Sequence, residues 1–74
     1  MKYKEAKEVL LKAVEDKSAQ HLEIYDHLGD VLLELGEREA ALTTWRKGLE
    51  FVGEGRREME RKDSVQKKID KNGK

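Results

Sequence analysis

Asp26 and Asp30 stand four residues apart inside an apolar stretch, and they are the first side chains here whose type and spacing could do chemistry. On a helix that separation brings both carboxylates to one face. A carboxylate pair works as general acid and base only when a buried pocket raises one pKa, and no such pocket is written around them. His21 and His27, six apart, fall on different faces with no third ligand beside them. Zinc needs three or four convergent ligands, so no metal site is expected. Ser18, Thr43, Thr44 and Ser64 lack a nucleophile's surroundings. Gly53-Glu54-Gly55 lacks both a following Gly-Lys-Ser/Thr pattern and a preceding strand, so it is no phosphate loop. Tyr25 and Trp45 could stack on a ligand, but at helical spacing they read as core, where rings supply the largest apolar area per residue. The expectation is a non-enzyme with no cofactor.

The elements that hold these residues are helices. Tyr3, Ala6, Val9, Leu10, Ala13 and Val14 recur at three- and four-residue spacing, which predicts an amphipathic helix over 3–15. Asp16-Lys17-Ser18 reads as a linker in which the Ser18 hydroxyl caps the next helix. Leu22, Ile24, Tyr25, Leu28, Val31, Leu32 and Leu35 form a wider stripe over 19–35, which should be the most buried. Gly36 supplies the left-handed residue that ends this helix. The third helix follows after two or three residues, so the two must run antiparallel. It is predicted over 37–52, with Ala41, Leu42, Trp45, Gly48, Leu49 and Val52 inward and Glu37 and Glu39 in its first turn. Gly53-Glu54-Gly55 is a second break. Residues 56–71 are predicted helical, held by Met59, Val65 and Ile69 alone.

Within this pattern Gly29 stands out. A glycine inside a helix costs about 1 kcal/mol relative to alanine, so it needs a packing reason. The natural one is the backbone of a second helix pressed against it, with Ala41 also removing bulk and Trp45 filling the space beside them.

Composition bounds the function. The chain has 74 residues, no Cys and no Pro, and is 43% charged and 36% apolar. It makes one small domain, near the limit where a core holds a chain folded without staples. Disulfides and thiolate metal sites are excluded. No apolar run approaches the ~20 residues of a membrane span, and the first ten residues lack a secretion signal's core, so a soluble cytoplasmic protein is expected. The net charge of zero hides a split: residues 1–53 carry 8 Lys/Arg against 11 Asp/Glu, and residues 54–74 carry 8 against 5. Neither half is basic enough to make nucleic acid the leading partner.

The stretch 25–53 resembles a tetratricopeptide repeat, a helix–turn–helix unit of about 34 residues. Leu28 and Gly29 match that family's Leu-Gly pair, Gly36 its turn glycine, Ala41 its small second-helix residue and Trp45 its large aromatic. Tyr25 stands where Trp is usual, Leu32 where Tyr is, Gly48 where Ala is, and Gly53 where Pro closes the unit. Residues 3–16 look like the second helix of a preceding unit, followed by a full repeat over 19–53. Residues 54–74 look like the polar helix that caps such arrays. The implied fold is all-α, with antiparallel helical hairpins and about four helices.

The resemblance implies a protein-interaction module. First helices of such repeats line a peptide-holding groove, which here would present Glu23, Asp26, Asp30 and Leu33. Members of the family that grip C-terminal carboxylates use Lys and Asn there, so these acids argue against that activity and for a Lys/Arg-rich peptide. The same acids also suit a plain solvated helix face. A basic partner is present in the chain itself: Arg56, Arg57, Arg61, Lys62, Lys67 and Lys68 could fold over the acids, within one chain or between two. One and a half repeats leave a face uncovered, so a homodimer or larger array is expected, with the outer side of the first helix as contact. The alternatives are an engineered or purely structural oligomerisation scaffold, and nucleic-acid binding through the last helix, which Glu58, Glu60, Asp63 and Asp70 weaken.

Overall fold

The computed structural model describes residues 2–16 and 21–73. Over these residues the chain is all-α, with no strand: α1 Tyr3–Glu15, α2 Leu22–Glu34, α3 Arg38–Gly48, a 3-10 turn Leu49–Phe51, and α4 Arg56–Asn72. The proposed Ser18 cap and the first residues of the predicted second helix lie outside the described residues. None of the described helices is long and apolar enough to cross a membrane.

Gly36 ends α2 as its chemistry requires. It takes φ +81°, its N–H donates to the Leu33 carbonyl, and the Glu37 N–H donates to the Leu32 carbonyl at 2.8 Å. This pair of bonds is the Schellman arrangement, which satisfies carbonyls the helix would otherwise leave open. The chain then reverses. Gly48 of α3 lies against Leu22 and Tyr25, and Trp45 lies against Gly29, so rising numbers in α3 meet falling numbers in α2. The two helices are antiparallel.

The core is built on this hairpin. Leu22, Leu28, Leu32, Ala41, Leu42 and Trp45 are buried together with Val65 and Ile69 of α4. Leu10 and Val14 of α1 pack on the cluster from the other side, but α1 itself buries no residue fully. Lys7 reaches from α1 to both carboxylate oxygens of Glu37 at 3.0 Å, fastening α1 to the α2–α3 turn.

Three expectations are corrected. Val9, assigned to the inward stripe of the first helix, is 66% exposed. It sits at the edge of a stripe centred on Tyr3, Leu10 and Val14, and α2 covers only that centre. Met59, assigned to hold the last helix, is 50% exposed; α4 touches the core through Val65 and Ile69. The third helix gives way at Gly48 to the 3-10 turn rather than running to Val52. That turn sets Phe51 parallel to Tyr25, ring centroids 5.3 Å apart.

The glycine at position 29 faces a side chain rather than a bare backbone. A Cβ built there would fall inside the Trp45 indole, overlapping Nε1, Cδ1 and Cε2. Gly48 answers it on the other helix, where a Cβ would come within 2.5 Å of the Tyr25 Cβ. Each helix therefore yields one side chain to a ring, or to the base of a ring, on its neighbour.

Candidate functional site: an acidic strip under the basic C-terminal helix

Asp26 is where the molecule's polar and apolar interiors meet. It is the buried charged residue among those described, 5% exposed. Its carbonyl accepts a hydrogen bond from Trp45 Nε1 at 3.2 Å, which the missing side chain of Gly29 makes possible by letting the indole lie on the α2 backbone. Its carboxylate accepts from Arg61 Nη1 at 2.9 Å through one oxygen and from Lys68 Nζ at 2.7 Å through the other. Lys68 also donates to both oxygens of Asp30 at 3.0 Å.

A buried carboxylate without such partners would cost several kcal/mol, roughly, in lost hydration. With them, no buried side-chain nitrogen or oxygen among the described residues lacks a hydrogen-bond partner. The cations remain about one-third exposed, 33% for Arg61 and 31% for Lys68. Burial pulls the Lys68 ammonium down, but its bonds to Asp26 and Asp30 and their charge together prevail, and its pKa stands above the usual 10.5.

Of the four residues assigned to the groove, the structure brings Asp26 and Asp30 together at α4, which buries Asp26 and leaves the Asp30 side chain 46% exposed. Glu23 is exposed one turn away, with the ring of His27 3.8 Å from its carboxylate. Leu33 is half-buried against the core cluster. Of the packing residues, Tyr25, Leu28, Gly29, Leu32, Ala41, Trp45 and Gly48 are buried, and Gly36 lies exposed in its turn.

No group of three or more His, Cys, Asp or Glu side chains converges among the described residues. The Tyr25 phenol is pushed up by burial and then by Glu50, which keeps it neutral at ordinary pH. Two contacts have no local signal in the sequence: Lys7 with Glu37, thirty residues apart, and Phe51 on Tyr25. The charge split between residues 1–53 and 54–74 is the one signal for the Asp26, Arg61 and Lys68 cluster.

Comparisons with protein-family models, with curated proteins and with solved structures find no match to this chain.

Proposed function

We propose that this chain is a non-catalytic protein-interaction module of tetratricopeptide-like design, whose acidic face on α2 takes Lys/Arg-bearing segments. The observation that carries this reading is the seating of Arg61 and Lys68 on Asp26 and Asp30 at 2.7–3.0 Å: the strip already holds cationic side chains presented by a helix. The buried acid is met by two cations, an arrangement that suits recognition of basic segments. The repeat assignment draws support from the left-handed Gly36, the antiparallel α2–α3 pair and the close approach at Gly29. Nucleic-acid binding draws less, because two of the tail's cations are committed to Asp26 and Asp30 and the exposed Lys62 and Lys67 alternate with Glu60, Asp63 and Asp70.

The test is a chemical-shift titration of the labelled full chain with Lys/Arg-rich helical peptides, and with Glu-rich ones as control. Shifts focused on residues 22–33 of α2, weakened by salt, are expected. Equal response to both peptides would remove the reading.

A second reading is self-association through α1, favoured by the exposure of Val9 and by the absence of any fully buried residue in that helix. Sedimentation should then depend on concentration in the native chain and lose that dependence in Val9→Glu. A native chain that sediments as a monomer at every concentration excludes it.

A further inference from the structure

α4 is a charged helix with a thin apolar footing. Of its 17 residues, Val65 and Ile69 are buried, while Arg61 and Lys68 rest on the α2 carboxylates. Residues 61, 65, 68 and 69 fall on one helical face, so the stripe reads cation, aliphatic, cation, aliphatic at i, i+4, i+7 and i+8. The surface beneath α4 carries the complement: Asp26 and Asp30 along α2, and the Leu and Trp side chains of the hairpin beside them.

We infer that this surface is a receptor for a basic amphipathic helix of another protein with that register, and that α4 is its resident occupant, displaced when such a helix docks. The inference rests on the interaction reading above and adds the register and the competition.

Charge complementarity defines the occupant. Asp26 is buried and must be met by cations, so a helix lacking them would leave the carboxylate unpaired in an apolar site. The connection to α4 permits release. Residues 53–55 lie outside any helix, and Gly55 stands at φ +113° with nothing within 4 Å of where a Cβ would be. Glycine at that position leaves the backbone of the connection free to take other φ and ψ values. The opposite face of α4, with Glu60, Asp63, Lys67 and Lys71, is in solvent and adds no hold.

The tether decides between occupants. A short linker presents α4 at an effective concentration on the order of millimolar. A free second copy of the same helix, being no better a ligand, loses that competition at ordinary concentrations. A foreign helix prevails when its own affinity for the surface exceeds that of α4 by enough to offset the tether.

The experiment compares the native full chain with the full-chain double variant Arg61→Glu, Lys68→Glu, each titrated with a synthetic peptide of residues 56–73. The variant should bind the peptide roughly tenfold or more tightly than the native chain, with shifts at Leu22, Asp26 and Asp30. A peptide carrying glutamate at both cationic positions should bind neither. Equal binding of the native peptide to both chains overturns the inference.

Should the double variant lose its helical circular dichroism, hydrogen exchange on the native chain decides. The α4 amides should exchange about tenfold or more faster than those of Leu28, Leu32 and Trp45, and faster again in high salt. Equal rates mean that α4 opens only with the whole molecule, and the displacement idea fails. An α4 that opens without any peptide binding to α2 defeats the interaction reading itself. A closed α4 with basic peptides bound elsewhere on α2 defeats only this inference.

Discussion

Substituting alanine for Gly29 sets two effects against each other. Helix propensity would reward the change by about 1 kcal/mol, while the new methyl would meet the Trp45 ring, itself held by its bond to the Asp26 carbonyl. A ring so fixed has little room to yield, so Gly29→Ala should lower the melting temperature, and Gly29→Leu should cost roughly 1–3 kcal/mol or more. Gly36→Ala should cost about 1–2 kcal/mol for a different reason: it has open space around it, but its φ of +81° disfavours any Cβ. Circular-dichroism melts of the three variants check this, and a Gly29→Ala variant more stable than the native chain would show that Trp45 can step aside. At Lys68 the sign is set by its raised pKa. A cation whose folded value exceeds its unfolded value contributes stability that is fully present below the unfolded value and lost as pH climbs through the folded one. Melts carried from neutral pH past the ordinary lysine value of 10.5 should therefore show a loss that is smaller in the variant Lys68→Met, where the ion pair is already gone and the buried Tyr25 phenol still titrates.

At the scale of elements, α1 and α4 are the clip-on pieces and α2–α3 the frame. Because α1 buries no residue fully and is pinned by Lys7 to Glu37, its amides should exchange faster than those of α2, and faster still in Lys7→Gln. Equal protection of α1 and α2 would contradict that order. The frame was legible from its own residues: Gly36 announces a left-handed turn, Gly29 a close neighbour, and the α2 stripe a wide buried face, all through local chemistry that acts within a few positions. Placement of the outer helices was less legible. Whether Val9 or Met59 faces inward depends on the angle at which a helix crosses its neighbour, and an apolar stripe of small or few residues fits several angles. The Phe51 stack arises because α3 tightens into a 3-10 turn, which apolar spacing does not register. For the candidate site, opposite charge excess in the two segments pointed to an encounter between them. That Asp26, rather than Glu23, should be buried follows from where α4 sets Arg61 and Lys68, which no local spacing registers.

The whole molecule measures 32 × 32 × 19 Å. Its least dimension is about two helix diameters, so it is two layers thick, with α4 lying across both α2 and α3 and α1 packed on α2. Either α1 or α4 can leave without breaking the α2–α3 contact, but the departure of α4 opens the cluster it shares with Trp45. Salt should therefore act unevenly, loosening α4 well before α2–α3, which residue-resolved exchange at two ionic strengths would record. The position of Trp45 carries one more consequence. It is the single tryptophan of the chain, wholly buried, with its indole nitrogen on Asp26 and its ring in the same cluster as Val65. Any departure of α4 admits water beside that ring and alters the field of the aspartate next to it. The protein thus carries a built-in fluorophore at the junction that matters, and its emission colour reports, without any label, whether the last helix is in place.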